Sequence, residues 1–410
     1  MNTTIDLKFA RVASIDVFRA ITMMFMIFVN DFYYDINVPH WLEHSEYGED
    51  YLGFSDVIFP AFLFSVGLSI PFAIGKRIAK GESRLKIGFH ILSRSIALIV
   101  MGIFDANYWR SFSPDMILSR SVFCILMIIG FFLVWNLYPK SIGWKKYLFI
   151  ILQVLGVALL IFLAFIYRSE KGDTLGVYWW GILGRIGWVY FPCAILFLLV
   201  RKRTLLVMLI ALFASIIIRM ALPYGFIPEN GDYIDIYFHS SRSFPYGYIP
   251  GDGAYHFYAL AGIIVSLLCN RYGSTAKVKK LFSILIGSGV ILLLIGIFAH
   301  QKWIISWLAH TPSWVFLSSG IVILIYILMY WLNDIKGKER WFNFIKPAGT
   351  STLTCFLLPY IIYSIFKIFN VHFPDIIISD SLGLLKSLIF SFIIIWLAAL
   401  LGKIHIKIKI

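Results

Sequence analysis

Residues 53–75 read GFSDVIFPAFLFSVGLSIPFAIG, a run with one charge, Asp56, and two prolines, Pro60 and Pro71. A bilayer core needs about 20 consecutive apolar residues from a helix, and this run supplies them. It closes on the basic stretch Lys76–Lys86. The same pattern recurs along the chain. Apolar runs fall near 15–34, 53–75, 87–106, 115–138, 147–167, 179–200, 204–222, 254–270, 281–300, 313–332, 348–369 and 384–402. Composition agrees: of 410 residues, 60% are apolar and 14% charged, and mean hydropathy is +0.83. Soluble chains run at about 45–50% apolar and about 25% charged. A soluble enzyme, a disordered chain and a disulfide scaffold are thereby excluded. The expectation is all-α: a polytopic transmembrane helical bundle of 10–12 spans, forming a single domain over residues 1–410. The lower counts apply if one or two runs are re-entrant or interfacial.

Net charge is +14, and its distribution speaks of topology rather than nucleic acid. Basic residues crowd alternate loops: Lys76–Lys86, Lys140–Lys146, Arg201–Arg203, Arg271–Lys280 and Lys336–Lys346, with Lys8, Arg11 and the tail Lys403, Lys407 and Lys409. By the positive-inside rule both termini are expected in the cytoplasm, with roughly 24 Lys and Arg on that side against about five on the other. Loops 35–52 and 223–253 then face the far side, as candidate active-site and acceptor loops. Trp109, Trp179, Trp180 and Trp303 sit at span ends, as an interfacial belt does. Ser14–Tyr34 is too long for a signal peptide and reads as an uncleaved first span. Cys124, Cys193, Cys269 and Cys355 show no CxxC spacing, which argues against disulfides and zinc.

Ionisable groups inside a bilayer are costly and invite a reason. Asp16 and Arg19 share one face of the first span at i, i+3, as a local ion pair or with Arg19 beside an anionic ligand. Arg94 lies deeper in the third span, and Arg120, Arg185 and Arg219 lie toward the far ends of theirs. Lys367 and Lys386 read as snorkelling side chains. Asn30 ends the first span and Asp56 opens the second, with His40 and His44 in the short loop between. That loop gathers an imidazole, an amide and a carboxylate near one membrane face. A carboxylate orients and charges an imidazole, which then serves as base or nucleophile. Because Pro60 lacks an N–H, the carbonyl of Asp56 is left without its helical donor. His40-Trp41-Leu42-Glu43-His44 also matches the H-x-x-E-H zinc-protease pattern, but a short loop between two spans lacks the long helix and third ligand such enzymes use, and no metal is expected. His239 and His256, with Asp232, Asp235, Arg242 and Asp252, make the other large loop polar enough for a sugar or amine.

A family resemblance rests on these residues. Arg11–Arg19 reads RVASIDVFR, followed by Phe28-Val29-Asn30, then His44, then Phe54-Ser55-Asp56-Val57-Ile58-Phe59-Pro60. In combination these resemble the heparan-α-glucosaminide N-acetyltransferase family and its bacterial relatives, most closely over residues 11–75, more weakly at Pro347–Tyr360, and elsewhere by span order. The resemblance implies a transmembrane acetyltransferase that takes acetyl groups from cytoplasmic acetyl-CoA to the amine of a glucosamine-type sugar across the membrane. It implies His44 as the active-site histidine, Asn30 as the active-site asparagine and Asp56 as the carboxylate of Asp-x-x-Phe-Pro. His40 stands close enough in sequence to compete with His44. The resemblance further implies a homodimer in a bacterial inner membrane, with acetyl-CoA, an amino sugar and lipid as partners and no nucleic acid.

In that reading Arg19 and Arg94 hold the coenzyme A phosphates, since guanidinium groups bind phosphate through paired charge-assisted bonds. His44 deprotonates the acceptor amine or takes the acetyl group itself, Asp56 orients it, and Asn30 donates to the oxyanion. The rival reading is a transporter of N-acetylglucosamine or a related sugar, which suits many spans and intramembrane charges equally. Matched broken helices in two repeats, the usual transporter sign, are not evident.

Overall fold

The computed structural model describes residues 12–33, 35–46, 48–139, 141–177, 180–200, 203–221, 253–273 and 276–410. Lys8, Arg11, Trp179 and nearly all of the 223–253 loop, with Asp232, Asp235, His239, Arg242 and Asp252, lie outside the described residues.

Each of the twelve apolar runs carries a helix. These are α1 (Ala13–Phe32), α2 (Ser55–Ala79), α3 (Arg84–Tyr108), α4 (Arg120–Trp135), α5 (Trp144–Ile166), α6 (Gly181–Leu199), α7 (Thr204–Ala221), α8 (Ala254–Tyr272), α9 (Val278–His300), α10 (Pro312–Tyr330), α11 (Thr352–Ile368) and α12 (Asp380–Lys403). The protein is all-helical, and β pairing among the described residues is confined to isolated bridges. Nine of the described helices are long and apolar enough to cross a membrane; α4 and α11 are apolar but shorter, and α8 is more polar. In lipid only helices and closed barrels satisfy their own backbone, so a chain of this kind is an integral membrane protein.

Helix limits follow local chemistry. Ser119 caps α4, its hydroxyl accepting from the Val122 N–H, so the helix starts inside the apolar run rather than at its edge. Pro312 occupies the first turn of α10, where its missing N–H costs nothing. The first turn of α1 has a remote cap: the Asp334 carboxylate accepts from the Ala13 and Ser14 N–H groups at 2.9 and 3.0 Å. A negative charge there also suits the helix dipole.

The chain forms two compact units. The first comprises Met1–Thr22, Pro39–Ile96 and Arg185–Asn343. Its core joins Phe18, Phe64 and Tyr326, whose rings meet edge to face at 5.6–5.9 Å, with Leu68, Val265, Leu285 and Ile323. There α2 and α8 approach backbone to backbone. A Cβ at Gly67 would stand 2.0 Å from the Ala259 carbonyl oxygen, and one at Gly262 would stand 2.2 Å from that of Phe64. Small residues permit this contact between membrane helices, where dispersion rather than water exclusion holds helices together. The second unit comprises Met23–Val38, Ala97–Gly184 and Phe344–Ile410. Within it Gly130 of α4 receives Leu160 of α5, and Gly156 of α5 receives Leu133 of α4.

Candidate functional site

In the first unit, the chain between α1 and α2 folds back onto the start of α2. The Phe54 N–H donates to the Trp41 carbonyl at 2.8 Å, and the Ser55 hydroxyl donates to the Leu42 carbonyl. Gly53 passes so near Glu43 that a Cβ would fall 1.8 Å from its carbonyl oxygen. These contacts deliver His44 to Asp56. Nδ1 of His44 lies 2.8 Å from Oδ1 of Asp56, while Oδ2 accepts from the Gly53 and Ser45 N–H groups at 2.9 and 3.2 Å. The Asp56 side chain has no exposed surface, whereas that of His44 keeps 27%. An ionised carboxylate only accepts, so Nδ1 donates to it, which in a neutral ring leaves the lone pair on Nε2. Among the described residues Nε2 has no hydrogen-bond partner. The carbonyl of Asp56, freed by Pro60, accepts from the indole N–H of Trp314 at 3.1 Å.

The H-x-x-E-H match dissolves in three dimensions. His40–Leu42 forms one 3-10 turn, His40 Nε2 turns to Glu49 at 2.9 Å, and His44 turns to Asp56. Among the described residues no three His, Cys, Asp or Glu side chains gather to hold a metal ion.

Arg19 and Arg94 both lie in the first unit. Arg19 donates to the Ser69 hydroxyl and lies 3.6 Å from Asp16, so the i, i+3 pair forms. The guanidinium of Arg94 lies over the Tyr190 ring, 4.9 Å from its centroid, and its buried Nε has no hydrogen-bond acceptor among the described residues. The charges of Arg19 and Arg94 are close enough to interact. Asn30 is an exposed residue of the second unit. Lys386, expected to snorkel, instead closes an ion cluster there with Asp31 and Asp35 at 3.1 and 2.6 Å. Two carboxylates in its reach outweigh the path to water.

Two features of the connection between α9 and α10 had no local signal in sequence. The ring of Trp307 lies 4.6 Å from that of His44, centroid to centroid, at 33°. In the same connection between α9 and α10, His310 is buried and receives at Nε2 the Tyr255 hydroxyl, 2.6 Å away, which in turn accepts from Arg185 at 2.9 Å. Burial, then the charges of Arg185 and Arg219, push the His310 imidazole well below its usual value. His310 is therefore a neutral acceptor engaged by its tyrosine, whereas Nε2 of His44 is left open beside a ring nitrogen held by a buried carboxylate.

The fold and this site define an integral membrane protein with a carboxylate-held histidine at a helix start. Residues 11–223 match the family described as a domain of unknown function, DUF5009, and the chain belongs to that family. It is also similar to heparan-alpha-glucosaminide N-acetyltransferase of Mus musculus and of Homo sapiens, at 32% identity over 97 residues in each case. The similarity takes in 24% of this chain and 14% of the length of each of those proteins.

Proposed function

We propose that the protein is a membrane acetyltransferase that moves an acetyl group from cytoplasmic acetyl-CoA to the amine of a glucosamine-type sugar on the opposite side. The observation that carries this reading is the His44–Asp56 pair: one ring nitrogen committed to a buried carboxylate, the other open. The partial similarity to two N-acetyltransferases supports the same chemistry.

His44 works through Nε2. In direct transfer it accepts a proton from the acceptor nitrogen as that nitrogen bonds to the thioester carbon. The C–S bond breaks with its electron pair on sulfur, and the departing thiolate takes the proton from Nε2. In the two-step route Nε2 itself bonds to the carbonyl carbon and the thiolate leaves with the C–S electron pair. The amine then bonds to the acetyl carbon, the bond to Nε2 breaks with its pair on that nitrogen, and the proton the amine sheds passes by way of Nε2 to the thiolate. Both routes place positive charge on the ring, which the Asp56 carboxylate stabilises. Arg19 and Arg94 bind the coenzyme A phosphates, and the free Nε of Arg94 is the donor still seeking an acceptor. The role of Asn30 as oxyanion donor rests on the sequence resemblance alone.

The test uses the purified full chain in detergent with acetyl-CoA and glucosamine, following acetylated sugar by mass spectrometry. Wild type and His40→Ala are expected to form product, and His44→Ala to form none. Product undiminished in His44→Ala would remove the assignment. No product and no acetyl-CoA binding by wild type, across a panel of amino sugars, would put the transporter in its place.

A further inference from the structure

The connection 301–311 between α9 and α10 is held at both ends and along its length. Asp50 accepts from the Ile305 N–H at 2.7 Å with one oxygen and pairs with His300 Nε2 at 2.6 Å with the other. The Tyr51 N–H donates to the Ile305 carbonyl at 3.1 Å. Internally, the Ser306 N–H donates to the Thr311 hydroxyl and the Ser313 hydroxyl to the Ile304 carbonyl, at 3.0 and 2.7 Å. From α7, buried Arg219 donates Nε to the His310 carbonyl at 2.8 Å and Nη2 to that of Ala309 at 2.9 Å. Backbone tied at so many points does not wander. What it presents is Trp307.

Trp307 meets His44 in two ways. Its ring lies against the imidazole, and its indole N–H donates to the Ser45 carbonyl at 3.0 Å. Asp56 also makes a double contact: it holds Nδ1 of the ring and, through its other oxygen, the Ser45 N–H. One hydrogen bond at Nδ1 fixes a single ring atom and leaves the imidazole free to swing about that bond. A face contact removes the swing. Together the two residues fix the direction in which Nε2 points. An indole face also carries negative quadrupole density, which attracts a cation within about 6 Å of its centroid. The imidazolium formed during transfer is such a cation.

We propose that Trp307 is a positioning residue for His44, setting the plane of the imidazole and stabilising its charged form from the ring face. The proposal rests on the reading of His44 as the group that handles the proton or the acetyl. Misplacing a reacting group by about 1 Å can cost about 100-fold. Trp307→Leu is therefore expected to lower kcat by about 10- to 100-fold with the KM for acetyl-CoA unchanged. Trp307→Phe keeps a ring on the imidazole and recovers most of that loss.

A second readout needs no turnover. Diethyl pyrocarbonate acylates an accessible neutral imidazole, and peptide mass spectrometry reports each histidine separately. His40, stacked on Tyr51 with ring centroids 4.3 Å apart, serves as the internal reference. In Trp307→Leu the His44-to-His40 modification ratio is expected to rise severalfold, and in Trp307→Phe to stay near wild type. Wild-type kcat together with a wild-type ratio in Trp307→Leu would overturn the proposal. If wild type itself transfers no acetyl group, the reading of His44 fails, and an unchanged ratio would still show that Trp307 does not position the ring. Should Trp307→Leu not fold, Asp50→Ala loosens the same loop from its edge. A smaller rise in the ratio is expected there, and no rise counts against the proposal.

Discussion

Two groups of buried carboxylates invite comparison, one in each unit. In the second unit Asp31 and Asp35 close on Lys386, while the Tyr363 hydroxyl donates to Asp31 and the Ser387 hydroxyl to Asp35. Backbone bonds seal the cluster: the Ile36 N–H donates to the Ile378 carbonyl at 2.7 Å, and the Asp380 N–H to that of Ile36 at 2.9 Å. Every charge there ends on another part of the cluster. In the first unit Asp56 is equally well bonded, yet the imidazole it holds keeps a nitrogen for something else. Burial of a charge is common to both groups and distinguishes neither. The uncommitted atom at the end of the chain of bonds marks the candidate site, and a closed ion cluster marks a staple.

The largest expected effect tests the first half of that contrast. Asp56→Asn keeps the size of the side chain but replaces an acceptor with a donor toward Nδ1 or the two backbone N–H groups. The imidazole then loses its orientation and its counter-charge. Acetyl transfer is expected to fall by about 10²- to 10⁴-fold in kcat, the usual contribution of a positioned base. Kinetics on the purified variant check this, and a kcat within threefold of wild type would reduce the pair to a structural contact.

Lys386→Met tests the other half. Removing the cation strands two carboxylates in the second unit, and breaking a buried pair in this way costs about 3–5 kcal/mol. A markedly lower unfolding temperature in detergent is expected, with kcat per folded molecule unchanged. Loss of transfer in a protein that still melts like wild type would erase the distinction between the two clusters.

The contrast between lipid-facing and enclosed helices also explains what sequence could convey. All twelve apolar runs became helices because lipid demands apolar side chains and internally satisfied backbone. The signal is clearest where lipid sees the helix: only 17% of the apolar window of α5 is buried in protein, against 72% for α2. It fades in α8, where Tyr255, Tyr258 and Ser266 face protein and polar atoms find partners or enclosure. The His44–Asp56 pair was legible because a short loop between adjacent spans leaves the two residues few places to go. Trp307, Trp314 and His310 were not legible, since each lies more than 250 residues from His44 or Asp56 and arrives by tertiary packing. Lys386 misled for the same reason: snorkelling is the default for a lone lysine, and the acids that capture it lie at the end of α1.

The smallest effect separates two carboxylates outside the spans by the sign of their pH dependence. Burial raises the Asp50 carboxyl, but the His300 and Ile305 hydrogen bonds and the His300 charge outweigh it and hold the group below its ordinary value of 3.8. Its contribution to holding the 301–311 loop is thus fully present above pH 3.8 and is lost as pH falls through the lower folded value. Asp35 runs the other way. Burial raises its carboxyl above 3.8, with Asp31 adding to the rise and Lys386 and Ser387 opposing it. The folded state binds that proton more tightly than the unfolded chain, so this term favours the fold as pH falls from the raised value toward 3.8. Hydrogen–deuterium exchange, corrected for intrinsic rates, reads both segments in one experiment. Between pH 6 and 3 the amides around Ile305 are expected to lose protection while those around Ile36 keep theirs, and Asp50→Asn is expected to abolish the first change. The shift is modest, because the Asp50 side chain is 40% exposed and water screens the pair. Equal loss in both segments would mean that the two carboxylates answer to one global transition and that Asp50 has no separate hold on the loop that carries Trp307.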